Sequence, residues 1–126
     1  MKVHSKRIVL PKTNELDIIN ITDRVQMEVE EAGVREGMAN IFVVGSTGAA
    51  TIMEYEPGLV NDMKNVLERL VPRDMEYDHH RMWRDGNGHS HIRSAILGPS
   101  ISVPITGGAL YLGTWQQIVY IELDNK

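Results

Sequence analysis

Apolar residues along the chain follow two rhythms, about two residues in some stretches and about 3.6 in others, and the switches between them outline a mixed fold. Val3, Ile8, Val9 and Leu10 predict a first strand ended by Pro11, and Leu16 to Ile21 predict a second after the polar turn Lys12-Thr13-Asn14. Ile21, Val25, Val29 and Ala32 then recur at helical spacing, with Thr22 or Asp23 available as a cap and Gly33 as a stop. Met38 to Val44 is an apolar run of strand length, and Thr51 to Tyr55 alternates as a strand should. Between them, Gly45 to Ala50 reads as a small-residue turn whose backbone N–H groups can form an anion nest.

Pro57 suits the first turn of a helix, and Val60, Met63, Val66, Leu67 and Leu70 form its apolar stripe up to Pro72. Arg73 to Arg84 has no clean periodicity and reads as a long irregular loop. A third helix is predicted after the turn Asp85-Gly86-Asn87-Gly88, with Ser90 as N-cap, Ile92, Ala95 and Ile96 as its apolar positions, and Gly98-Pro99 as its end. Three strands should follow, over Ile101 to Ile105, Ala109 to Gly113 and Gln117 to Leu123, the first two joined at Thr106-Gly107-Gly108. Pro104, which has no N–H for a ladder, points to an edge or bulged strand. Strands and helices without a βαβ rhythm make the fold class α+β: a single domain over 1–126, with a mostly antiparallel sheet and two or three packed helices.

Composition narrows the function classes. The chain has 126 residues, enough for one ordinary core, and no cysteine, which excludes disulfides and thiolate metal sites. Its formal charge of −4, with both signs interspersed, argues against a nucleic-acid partner. The N-terminal stretch lacks the apolar run of a signal peptide and no segment approaches a membrane span, so a cytoplasmic protein without a membrane partner is expected. Open sheet edges favour self-association.

Candidate chemistry concentrates late in the chain. Four of the five histidines, His79, His80, His89 and His91, lie within thirteen positions. Imidazoles hold transition metals and hydrogen-bond phosphates, and a helix N-terminus adds outward N–H groups. His89 and His91 converge only if the chain is extended or just entering the helix. The alternative is that Asp85, Asn87, His89 and Ser90 are solvated turn residues, and no HExxH or P-loop pattern decides between the two.

The segments TIMEYEP, LERLVPRD, DGNGHSHIRSAILGPSISVPI and LGTWQQIVYIELD, spread from Thr51 to Asp124, resemble the YjbQ family, described as secondary thiamine-phosphate synthases. That resemblance implies an α+β fold and a homotrimer with sites at or near subunit interfaces. It also implies a weak transferase activity that joins a pyrimidine diphosphate to a thiazole phosphate. Carried onto this chain, it implies Glu54 and His91 as catalytic residues, with Arg93 in place of the family's lysine, and Thr114 and Trp115 at a substrate site. Together with the histidine clustering, this leads to the expectation that His80, His89 and His91 converge with Glu54 on a divalent metal, Mg²⁺ or Zn²⁺, or on phosphate oxygens, with Arg93 and the backbone of Ser46, Thr47 and Gly48 assisting the anion. The family's Tyr-x-His element falls on His79 or His80, with loop length favouring His80. Where many members have His-Thr-Ser/Thr-Ala, this chain reads Gly45-Ser46-Thr47-Gly48, so one histidine of the pattern is replaced. Trp115, beside a strand, reads as a core residue. The competing expectation is a noncatalytic oligomer that binds a metal or a phosphorylated metabolite.

Overall fold

Alternating side chains become strands here wherever one face can be covered. In the computed structural model, which describes residues 1–126, the elements run β1 (Ile18–Asn20), α1 (Thr22–Ala32), β2 (Glu36–Phe42), β3 (Gly48–Met53), α2 (Pro57–Leu70), α3 (Asp78–Trp83), α4 (Gly88–Leu97), β4 (Ser100–Thr106), β5 (Ala109–Leu110) and β6 (Gln117–Glu122). Two antiparallel three-stranded sheets result, ordered β1-β6-β3 and β2-β4-β5, so the chain is a single α+β domain. They meet where the connection after α4 passes between them: Val43 N–H donates to the Pro99 carbonyl (2.8 Å) and Ala50 N–H to that of Gly98 (3.2 Å).

β6 is the centre of the first sheet, and its Ile118, Val119 and Ile121 are completely buried. Ile18, Ala49, Leu67, Val119, Ile121 and Leu123 form one core cluster, against which Val60 and Met63 of α2 pack. A second cluster joins Ile21 and Val25 of the α1 region to Val103 and Ile118. Glu56 caps α2 by accepting from Gly58 N–H (2.7 Å) and Leu59 N–H (2.8 Å), with Pro57 in the first turn as expected. Gly33 ends α1 in the left-handed conformation (φ 67°). Gly107 and Gly108, at φ 61° and 81°, make the tight β4–β5 turn.

Several expectations need correction. Residues 3–10 form no strand; Ile8 and Leu10 rest on the second cluster with no sheet partner. The irregular loop contains α3. Neither Thr22 nor Asp23 caps α1: the Thr22 hydroxyl accepts from Ile118 N–H (2.8 Å), tying the helix to β6. Gly48 to Ala50 belong to β3 and not to a turn, and β5 is only two residues long. Pro104 lies on the central strand of its sheet. In an antiparallel ladder a residue's N–H and C=O point the same way, and the Pro104 carbonyl accepts from Tyr111 N–H (2.8 Å), beyond the end of the β4–β5 ladder. The missing donor therefore faces Tyr111, where one bond instead of two closes the β4–β5 pairing and the ladder ends.

The largest departure is α4. It starts at Gly88 with Asn87 as its N-cap position, one turn earlier than expected, and it is turned over. His89, Ser90, Arg93 and Ser94 face inward, whereas Ile92, Ala95 and Ile96 face outward, Ile96 at 65% exposure.

Candidate functional site

Inward polar groups on α4 need partners, because an unpaired buried charge costs several kcal/mol. Glu15 supplies them from the segment before β1. Its Oε2 lies 2.8 Å from His89 Nε2 and accepts from Arg93 Nη1 at 3.4 Å. Arg73 Nη1 stands 3.1 Å from Glu15 Oε1, an ion-pair distance at an angle too poor for a hydrogen bond, so that oxygen has a countercharge but no donor. Arg93 completes its set by donating to the Val71 carbonyl through Nε (3.0 Å) and Nη2 (2.7 Å), and to Glu68 Oε2 (2.8 Å). The Glu68 carboxyl is held below its ordinary range, first by the Arg73 backbone N–H and then by Arg93. Arg93 and His89 are fully buried. Arg93 therefore fastens the end of α2 to α4 and does not reach toward an anion in solution.

The remaining histidines surround the start of α4. His79 and His91 lie ring to ring, centroids 4.6 Å apart and tilted by 37°, and both are half-buried. Asp85 Oδ1 stands 3.4 Å from His79 Nδ1, close enough for charge attraction without hydrogen-bond alignment. The Asn87 amide, oriented to match donors with acceptors, donates to both Asp85 oxygens (2.8 and 3.1 Å). His80 turns the other way: its Nε2 accepts from Gly88 N–H (3.0 Å) and its ring meets Tyr77 edge-on. His79, and not His80, is thus the partner of His91. The literal Tyr77-Asp78-His79 spacing already carried that signal.

These placements separate His80, His89 and His91, and no group of three or more His, Asp or Glu side chains stands ready to hold a metal within one chain. Ser46 is exposed. Thr47 donates through its hydroxyl to Asp124 (3.2 Å), and the Gly48 carbonyl accepts from the Ser94 hydroxyl (2.6 Å). A Cβ on Gly48 would meet the Tyr120 hydroxyl at 2.8 Å, so this glycine serves close packing against β6 and not an anion nest.

Glu54, Thr114 and Trp115 come together elsewhere. With Tyr55 and Glu56 they line a cleft of about 380 Å³ beyond the Met53–Gln117 end of the first sheet. Gly48, next to α4, pairs with Glu122 at the opposite end. Six residues of β3 span roughly 17 Å, so Glu54 does not join the histidines of its own chain. Trp115 is 70% exposed, which overturns its reading as core. Glu15 entered the histidine region with no role assigned from the sequence, and Asp85 and Asn87, read there as turn residues, join it through His79.

A family model described as UPF0047 protein YjbQ-like matches residues 6–126. The chain belongs to the YjbQ family. A UPF0047 protein of Methanothermobacter thermautotrophicus is 39% identical over 125 residues, 99% of this chain and 86% of that protein. The Bacillus subtilis UPF0047 protein YugU is 32% identical, over 95% of this chain and 89% of its own. Among solved structures, a YjbQ/UPF0047 family protein of Clostridium acetobutylicum superposes with a TM-score of 0.83 at 35% identity, covering 90% of this chain and 87% of the other. A YbjQ-like protein of unknown function from Sulfolobus solfataricus gives 0.82 at 34% identity, covering 86% and 77%. No helix is long and apolar enough to cross a membrane.

Proposed function

We propose that this YjbQ-family chain is a weak thiamine-phosphate-synthase-type transferase, cytoplasmic in location, that holds phosphate oxygens at the His79–His91 pair. The observation that carries the reading is the pair itself: two partly open imidazoles 4.6 Å apart, neither hydrogen-bonded into the core, with Asp85 Oδ1 3.4 Å from His79 Nδ1. In the reaction, the bond between the pyrimidine methylene and the diphosphate oxygen breaks, and diphosphate leaves with the electron pair. The thiazole nitrogen lone pair forms the new C–N bond. Ring N–H groups offset charge on the departing diphosphate. A single chain does not fit a divalent metal, because His80 and His89 already use Nε2 within the fold. Mg²⁺ or Zn²⁺ belongs to this reading only at a site shared between copies, and no step is derived through either.

Sharing follows from the assembly that belongs to the same reading, a homotrimer. Its support is apolar surface facing outward: Ile92 and Ile96 on α4, and Met38 and Phe42 on β2, the last two at 63% and 61% exposure. The second reading, a noncatalytic oligomer that binds a phosphorylated metabolite, is favoured by Arg93 being sealed inside and Glu54 being remote. Turnover of the two precursors, with Mg²⁺, with Zn²⁺ and with chelator, separates the two. Product formation that falls at least tenfold in both His79→Ala and His91→Ala supports the transferase. Pyrophosphate binding lost in the same variants, without turnover in the parent protein, supports the binder. Pyrophosphate binding and turnover unaffected by either substitution overturn both.

A further inference from the structure

The cleft beyond the Met53–Gln117 end of the first sheet is lined by acidic, neutral and aromatic side chains, with no lysine, arginine or histidine among them. Its two carboxylates differ. Glu56 is committed to capping α2, and the Gly58 and Leu59 N–H groups hold its carboxyl below the usual range, so it stays ionised at neutral pH. Glu54 is exposed and makes no hydrogen bond or ion pair within the chain. Beside it are two aromatic rings, one anchored and one carried on a closed turn. Tyr55 is fixed through its hydroxyl, which donates to the Ile18 carbonyl (2.9 Å). Trp115 rides a turn closed by Gly113 N–H to Gln116 Oε1 (2.8 Å) and Gln116 N–H to the Gly113 carbonyl (3.1 Å), yet the indole is 70% exposed.

A free carboxylate, a second fixed negative charge and open aromatic faces in one concavity have a specific chemical complement. Two negative charges repel phosphate. A bare metal ion would find one free carboxylate, because the amide oxygens of Asn20 and Gln117 already accept hydrogen bonds within the fold, and the ring faces give it no inner-sphere oxygen. A substituted ammonium uses the carboxylate and the rings together, because it pairs with the one and lays its polarised C–H groups on the others. The volume of about 380 Å³ suits a small organic molecule.

We infer that this cleft binds an organic cation, a substituted ammonium or protonated amine, at a site separate from the histidine pair. The inference goes beyond the proposed activity and does not depend on it.

Titration calorimetry with choline and with its neutral isostere, 3,3-dimethyl-1-butanol, tests the assignment on the full chain. Choline should bind saturably and the alcohol at least about tenfold more weakly. Glu54→Gln should weaken choline by about tenfold, Trp115→Leu should weaken choline more than the alcohol, and His79→Ala should leave choline binding unchanged. Inorganic phosphate should not compete. Equal binding of the alcohol, indifference to Glu54→Gln, or displacement of choline by phosphate each overturns the assignment. So does an absence of choline binding; a blue-shifted, quencher-resistant Trp115 emission in a Trp83→Phe background would then show the cleft covered by a second copy.

Discussion

Near the Gly48 end of β3, the buried Arg93 and His89 pair with Glu15, and Arg93 reaches Glu68 at the surface, whereas beyond the Met53 end Glu54 and Trp115 face solvent with nothing in the chain to bind. Charged and aromatic side chains occur at both ends, so residue type does not distinguish them. Enclosure does. A charge taken out of water has to be answered by the protein, and once answered it holds structure together. A charge left at the mouth of a cleft stays available for a ligand. The His79–His91 pair lies between these extremes, close to the sealed network yet open on one side.

The sharpest way to break this contrast is at Arg93. Arg93→Met leaves Glu15, Glu68 and the Val71 carbonyl without their shared donor and should cost about 3–5 kcal/mol in urea denaturation. A loss below about 1 kcal/mol would show that the network is not structural. Glu15→Gln should cost about 2 kcal/mol, since His89 and both arginines lose their common negative charge. Gly48→Ala should cost about 1–3 kcal/mol through the clash with the Tyr120 ring and hydroxyl, a cost that Tyr120→Leu should reduce in a double-mutant cycle.

Titration gives smaller effects with defined signs. The Glu68 carboxyl is lowered in the folded chain, so its contribution is fully present above the unfolded value of 4.5 and fades as pH falls below it through the folded value. Glu68→Gln should flatten the acid limb of a stability-versus-pH curve. Tyr120 is pushed up to about 12, mainly by burial and then by Glu122, so its contribution is lost as pH rises from 10 toward 12. Tyr120→Phe should flatten that alkaline limb. The smallest effect belongs to the open end: Glu54→Gln and Trp115→Leu should each leave the denaturation midpoint within about 0.5 kcal/mol of the parent. A larger loss would mean that the cleft is part of the scaffold after all.

How much of this was legible depended on range. The Pro57 helix start, the Gly33 stop and the paired glycines at 107 and 108 are local backbone requirements, and all three are met. The strand over Val3 to Leu10 has the right pattern and no partner, because pairing needs a neighbouring edge that a local pattern does not record. The α3 helix is short and lacks an apolar stripe to reveal it. The clustering of histidines marked a stretch in which two rings do meet, but which ring meets His91 was settled by which way α3 turns His79 and His80.

The sequence by itself determined the family, the α+β class and most of the helices and turns, because these rest on neighbours within a few positions. Tertiary structure alone decided which face of α4 is inside, why Pro104 is tolerated on a central strand, and that Glu15 answers His89 across 74 positions of chain. The physical reason is common to all three. Burial and the matching of donors to acceptors are set by whatever packs alongside, and a helix with apolar residues on one side and a satisfiable polar set on the other can be placed either way round until its neighbours are in position.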